Sequence, residues 1–371
     1  MNDIIINRGR QKELDWAKAF SVLFMVCIHC YEEISNIDAE IAPTGIFRNL
    51  MEFLAGPLGA PMFMFCMGVG IMYSRNNTPA DMTKRGLKLL GTGYLLSFVK
   101  GTVPTAIAIY LGYEVPWTLA DSLFLVSILQ FAGMAFFTIA LMKKLRLPLP
   151  AMMAVSLVLS VLGGMLSKLA FTNSWTKYLF GLFSDTCDVT TFPMFRWLFY
   201  PVFGMIFAYY LQRTEDKTRF YRLICPVALV GTIAFTLIYT ACGYDIRTMY
   251  MLAGRVFYHQ SLLHHLFISM VILVAVSLCY FLSQVVKNIA VNGATAYLGK
   301  NVDVIYLVQW VIIIYAESFM NIFGGFRISA PYIIPAGILV LVSSIGLIEL
   351  WRFVKGSFPV INRQRGDYVN V

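Results

Sequence analysis

Charge is what this sequence is short of. Of its 371 residues only 13% are Asp, Glu, Lys or Arg, about half the share found in a water-soluble domain. The polar surface is too small for a soluble enzyme, and the same composition excludes a disordered chain and a secreted disulfide scaffold. The apolar stretches run unbroken, without the alternation that marks a transmembrane β-barrel strand. Histidine is scarce, with four in the whole chain. No Gly-rich phosphate loop of the Walker type, internal repeat or low-complexity segment is visible. The seven cysteines are an odd number and mostly sit inside apolar runs, as small buried hydrophobes do. Cys27 and Cys30 are spaced as CxxC but within a span, with no second pair to complete a zinc site. Neither a disulfide framework nor a metal is expected.

Apolar residues are what the chain has in abundance, 58% of the total, with a mean hydropathy of +0.70. A membrane-crossing helix takes about 20 of them, so the composition supplies about ten. Hydropathy places ten spans near 16–34, 53–73, 89–112, 117–141, 149–170, 194–212, 223–242, 260–285, 303–319 and 332–354. The expected fold class is all-α, one polytopic membrane domain over 1–371. Loops near 35–52 and 171–193 are the two longest on the outer side and are expected to have little core of their own.

The chain carries 29 Lys and Arg against 20 Asp and Glu. The bases fall in short clusters between hydrophobic runs, which is the pattern that sets membrane topology rather than a nucleic-acid footprint. With the N-terminus in the cytoplasm and ten alternating spans, 21 of the 29 bases collect inside. Both termini are therefore expected to be cytoplasmic. The first span, with Asp15 and Lys18 in or beside its apolar run and no small-x-small site after His29, is not expected to be a cleaved signal peptide.

Ionisable groups at membrane depth are costly and commonly functional. Lys18 and His29 are eleven positions apart, which puts them on one helix face about 16 Å apart along the axis. Taken singly, Lys18 also fits an interfacial anchor and His29 a buried interhelical hydrogen bond. Glu32 and Glu33 follow His29 on the same face, and either is placed to hold the imidazole in one tautomer; Glu33 is the expected partner. The other histidines, His259, His264 and His265, stand at the start of the eighth span, in the same outer half as His29. His264 and His265 are adjacent and point to different faces, so at most one joins a shared site. Arg75, Lys84, Arg85 and Lys88 surround the second cytoplasmic entrance and suit either a phosphate-bearing ligand or topological anchoring. Arg196 and Trp197 open the sixth span from outside.

These residues resemble a known family. The first span, ELDWAKAFSVLFMVCIH, is similar to the opening of the integral-membrane acyltransferase 3 family, in which an Arg is followed eleven positions later by a His. Lys18 takes the Arg position and His29 the His position. GPLGAPMFMFCMGVGIMYSR resembles the family's second apolar stretch, with Met67 and Gly68 at its small-Gly pair, and the basic RGLKLL follows. YLGKNVDVIYLVQ resembles the family's LGxxSLxIYLxH, retaining Asn301 and Tyr306, with Gln309 in place of the His. IMYSRNNTP and SILQFAGMAF are similar to the related heparan-glucosaminide N-acetyltransferase group.

The resemblance implies transfer of an acetyl or short acyl group from acyl-CoA (acetyl-CoA) to a glycan or other hydroxyl or amine acceptor, at a cell inner membrane and toward its outer side. His29 is then the catalytic base or nucleophile, with Glu33 beside it. Lys18, Arg75, Lys84, Arg85 and Lys88 are the expected CoA contacts, and Arg196, His264, Tyr306 and Gln309 the expected acceptor contacts. Partners are membrane lipids and a small-molecule or glycan acceptor. Two other classes remain open at this point: a secondary transporter of a small polar substrate that uses the intramembrane His and Lys, and a membrane sensor or scaffold whose polar groups only join helices.

The charge asymmetry makes a direct prediction. Cysteine-accessibility labelling should place 76–84 and 213–222 in the cytoplasm, and 36–50 and 175–190 outside. A loop on the wrong side would invert the arrangement.

Overall fold

The computed structural model describes residues 5–35, 45–169, 173–186, 190–252 and 257–357. Among them the chain is helical with no strand, in the order α1 (Lys12–Glu33), α2 (Ile46–Leu58), α3 (Ala60–Tyr73), α4 (Pro79–Ser97), a π-helical turn (Phe98–Thr102), α5 (Val103–Tyr110), α6 (Leu119–Leu123), α7 (Ile128–Lys144) and α8 (Leu149–Leu166). Then come α9 (Ser174–Gly181), α10 (Met194–Trp197), α11 (Phe199–Arg213), α12 (Lys217–Ala241), α13 (Leu262–Val285), α14 (Ile289–Ile322) and α15 (Ile333–Ser357). Eight helical stretches are long and apolar enough to cross a membrane. The other two expected spans correspond to the continuous stretch from α4 through α5 and to α7, a helix of 17 residues. This is an all-α polytopic membrane protein.

Several boundaries differ from the hydropathy reading, each for a local reason. The third stretch starts at Pro79 rather than near 89, because Thr78 caps it, its hydroxyl accepting from the Asp81 N–H at 3.2 Å, and Pro favours the first helical turn. The fourth starts at Ile128 rather than near 117, where Ser127 and Gln130 form a capping box; α6, with its own Thr118–Asp121 box, fills the gap. The second is split at Gly59, where a Cβ would overlap the Ala55 carbonyl oxygen. α14 extends to 34 residues, its start fixed by the Asn288 side chain accepting from two backbone N–H groups. The two outer loops contain helix, α2 from Ile46 and α9, while their segments 36–44, 170–172 and 187–189, and the C-terminal bases Arg363 and Arg365, lie outside the described residues.

α1 lies at the centre, packed against α2, α3, α13, α14 and α15. The ends of successive stretches alternate between two poles. At the basic pole Asn7 bonds the Leu211 carbonyl, Gln212 the Met72 carbonyl, Lys143 the Asn77 carbonyl and Arg352 the Asn301 side chain. At the opposite pole Ile328 pairs with Ile34, and Thr191 bonds Val126. Buried Glu13, near the basic pole, is held by Lys217 at 2.5 Å and by the Tyr221 hydroxyl at 3.1 Å.

Close backbone approach joins α3 to α11. A Cβ on Gly68 would overlap the Pro201 carbonyl, and one on Gly204 the Phe65 carbonyl, so neither helix has room for a side chain at its crossing point. Gly68, part of the family-like small pair, is thus a packing residue. Gly68→Val and Gly204→Val should each lower the thermal midpoint of the purified protein sharply or prevent its isolation, since overpacking costs about 1–3 kcal/mol and often more. Gly70, with no atom within 4 Å of a built Cβ, is the control: Gly70→Ala should leave the midpoint unchanged.

Candidate active site

His29 sits one turn before the end of α1 and is half-buried. Its Nδ1 lies 2.9 Å from Gln309 Nε2 and 3.3 Å from Gln309 Oε1, and its ring packs on Trp310 with centroids 4.0 Å apart. Tyr306 approaches edge-on at 6.4 Å. Gln309, Tyr306 and Trp310 are all buried on α14. One amide serves either tautomer: when Nδ1–H donates to Oε1, the Nε2 lone pair is left to take a proton. The side chain bonded to His29 is therefore Gln309, and not Glu32 or Glu33. Two expected acceptor contacts, Tyr306 and Gln309, are brought to the expected base.

Lys100 completes this surrounding, and sequence reasoning missed it. Its Nζ stands 3.3 Å from the centroid of the Trp310 ring, so one indole touches both the imidazole and an ammonium. Lys100 belongs to the π-helical turn, a form frequent at functional positions. The turn has a covalent cause: Pro104 has no N–H to give the Lys100 carbonyl, and the Val103 N–H reaches back to Phe98 instead. The available signal was a lysine in the middle of the 89–112 apolar run. Glu33 and Glu32 act on Lys100 by charge. Glu33 and Lys100 both line a cavity of about 920 Å³ at the pole opposite the bases.

At the basic pole, Lys18 is half-buried on α1, and Lys88 is exposed on α4. Both act by charge on Asp303 of α14, so these two expected phosphate contacts converge. Arg85 donates to the Ser74 hydroxyl at 3.1 Å, Lys84 and Arg85 act on Asp81, and Arg75 is exposed nearby in sequence. Asn301 is engaged in helix contacts, donating to the Tyr297 carbonyl and accepting from Arg352.

Arg196 and His264 belong to a different neighbourhood. Arg196 pairs with Asp185 and donates to the Gln260 carbonyl at 2.7 Å. His264 uses both ring nitrogens, Nδ1 with Ser261 at the start of α13 and Nε2 with the Thr248 carbonyl at 3.2 Å. His265 contacts Ser160 at 2.8 Å and stacks on Phe199, and His259 meets Asp185 at 3.0 Å. These four side chains brace α8, α10, α11 and α13 to one another, and their bonds do not reach His29. Among the described residues no group of three or more His, Cys, Asp and Glu is placed to hold a metal.

A histidine held at one ring nitrogen on the central helix of a membrane bundle keeps its other nitrogen available to exchange a proton. The family model for the acyltransferase 3 family, described as an acyltransferase domain, matches residues 11–349; the chain belongs to this family and is a membrane acyltransferase. No curated protein matches the sequence significantly. Family membership takes the place of the transporter and scaffold alternatives.

The Gln309 contact carries its own prediction. Gln309→Leu should lower kcat about tenfold or more, part of the 10²–10⁴ range of general acid–base catalysis, while changing the KM for the acyl donor less than about twofold. Gln309→His, which keeps a group able to bond Nδ1, should recover most of the loss. Equal changes in kcat and KM in both variants would show that Gln309 only packs helices.

Proposed function

We propose that the protein moves an acetyl or short acyl group from acyl-CoA, bound at the basic cytoplasmic pole, to a hydroxyl or amine of a glycan or similar acceptor at the extracytoplasmic pole of the inner membrane. The observation that carries this reading is the span of α1. One helix carries Lys18, which with Lys88 acts by charge on Asp303 at the basic pole, and His29 about 16 Å further along the axis, one turn before Glu33 on the lining of the opposite cavity. A donor with phosphates at one end and a thioester on a long thin arm has that shape.

The chemistry follows from the geometry. CoA phosphates attract Lys18 and Lys88, each charge-assisted contact contributing about 1.5–3 kcal/mol. Lysine offers a point charge where the family's arginine offers a bidentate fork. The acceptor O–H or N–H gives its proton to His29 as the nucleophile attacks the thioester carbon. The C–S bond breaks, a C–O or C–N bond forms, and the proton passes from His29 to the departing CoA thiolate. Gln309 holds the imidazole through both transfers.

His29→Ala should leave a folded membrane protein whose transfer rate is lower by about a hundredfold or more; near-normal turnover would remove His29 from the chemistry. Lys18→Ala should raise the KM for acyl-CoA more than that for the acceptor, and Lys18→Arg should be tolerated. Comparing CoA with dephospho-CoA locates the grip: a residue holding the 3′-phosphate loses that preference when changed to Ala. If Lys18, Arg75, Lys84, Arg85 and Lys88 can all be replaced by Ala without weakening CoA binding, the donor lies elsewhere.

A further inference from the structure

The cavity at the pole opposite the bases adjoins the His29 surroundings through two of its own lining groups. Glu33 is one helical turn beyond His29 on α1, and Lys100 lies on the Trp310 ring that packs on His29. Lys100 is only 8% exposed. Among the described residues no direct hydrogen bond or close ion pair closes on its ammonium or on the Glu33 carboxylate, and the two act on each other by charge across the cavity lining. A buried ammonium and a half-exposed carboxylate that face one open volume keep hydrogen-bonding capacity for a ligand that enters it. By contrast, Glu317 on the cavity wall is already engaged by Arg327 at 3.7 Å, and Asp121 by the Tyr178 hydroxyl at 2.8 Å.

The rest of the lining states what kind of molecule fits. Trp117 and Tyr315 are large aromatic groups that stay partly exposed at the cavity, as flat surfaces for the C–H face of a ring. The lining contains four carboxylates, Glu33, Glu114, Asp121 and Glu317, and one ammonium, Lys100. Adding the cations that pair with two of them, Arg327 and Lys177, still leaves acid in excess. An anionic ligand entering this volume would meet an excess of like charge on its walls, which disfavours it against a neutral or cationic one. A volume of about 920 Å³ is in the range of small-molecule pockets.

We infer that this cavity is the acceptor site and that it takes a polyhydroxylated ring without carboxylate or phosphate, neutral or amine-bearing, with hydroxyls bonded to Glu33 and Lys100. The inference rests on the acyl transfer proposed above and adds the acceptor's site and charge class. A hydroxyl donates to the Glu33 carboxylate while another accepts from Lys100, engaging both groups at once. The ring so held lies about one helical turn from His29, which is itself off the cavity lining, and the hydroxyl or amine that reaches the imidazole is the one deprotonated.

A test that does not require the natural acceptor uses Ser318→Cys, on the cavity wall, in a chain whose exposed Cys242 is replaced by Ser; the Cys242→Ser parent sets the background. Labelling by a trimethylammonium methanethiosulfonate should exceed labelling by the sulfonate reagent at least tenfold, after correction for their rates with a free thiol. Combining Glu33→Gln with Glu317→Gln should collapse that ratio. Methyl glucoside and its 2-amino counterpart, at millimolar concentration, should slow labelling several-fold, and the uronate counterpart should not. Lys100→Ala should abolish the protection. Equal or reversed reagent rates, protection by the uronate as strong as by the neutral sugar, or no protection by any sugar would each overturn the inference. CoA binding to the same variant is read in parallel: its loss speaks against the donor reading, whereas protection by sugar speaks only of the cavity. Should Ser318→Cys fail to fold, Thr105→Cys, also on the lining, replaces it.

Discussion

The packing of His29 against α14 is the contact on which the rest of the arrangement depends. Gln309 bonds the imidazole, Trp310 supports its ring, and the same indole carries the Lys100 ammonium. Three separate helical stretches, α1, the π turn and α14, thereby meet around one proton-accepting group. In a membrane such a meeting has few substitutes, because lipid offers no partner to a polar side chain. α1 carries that histidine while enclosed by α2, α3, α13, α14 and α15.

Several polar groups elsewhere in the bundle are joined to one another between helices. Glu13 is held by Lys217 and Tyr221 near the basic pole, and Gln130 joins Ser127 to Ser97 across α7 and α4. At the other pole Arg196, Asp185, Gln260 and the three histidines of the 259–265 segment tie the loops to α8, α10 and α11. Glu33 and Lys100 differ from these in acting on each other by charge across a cavity rather than being joined by a direct bond. Interhelical hydrogen bonds fix geometry where the hydrophobic effect between helices is absent.

Legibility differed by the range of the interaction involved. Hydropathy placed a span at each of the eight helical stretches that are long and apolar enough to cross a membrane among the described residues, because each depends on a local run of apolar residues. The errors fell at ends set by caps, as at Thr78 and Ser127, whose signals are two or three residues long and lie outside the hydrophobic window. Lys18 and His29 were visible as charges within a span, and Tyr306 and Gln309 through a short motif. Lys100 was present in the same kind of apolar run, yet nothing local tied it to His29, 71 positions away in the sequence. Glu33 was read as the partner of His29 because helical spacing puts them on one face; the nearer group, Gln309, comes from 280 residues away.

By itself, then, the sequence determined that the chain is a helical membrane protein, where its helices run, which pole is basic, and which span carries an ionisable pair. Those properties follow from composition and from spacing along one helix, both of which are local. Only the tertiary structure decided that His29 is bonded by Gln309 rather than by a glutamate, that Lys100 joins it through Trp310, and that Arg196 and His264 serve as braces elsewhere. Side chains far apart in sequence become neighbours through the order in which helices pack, and that order is set by interhelical fit, such as the bare backbone contact of Gly68 with Pro201, which no single helix encodes.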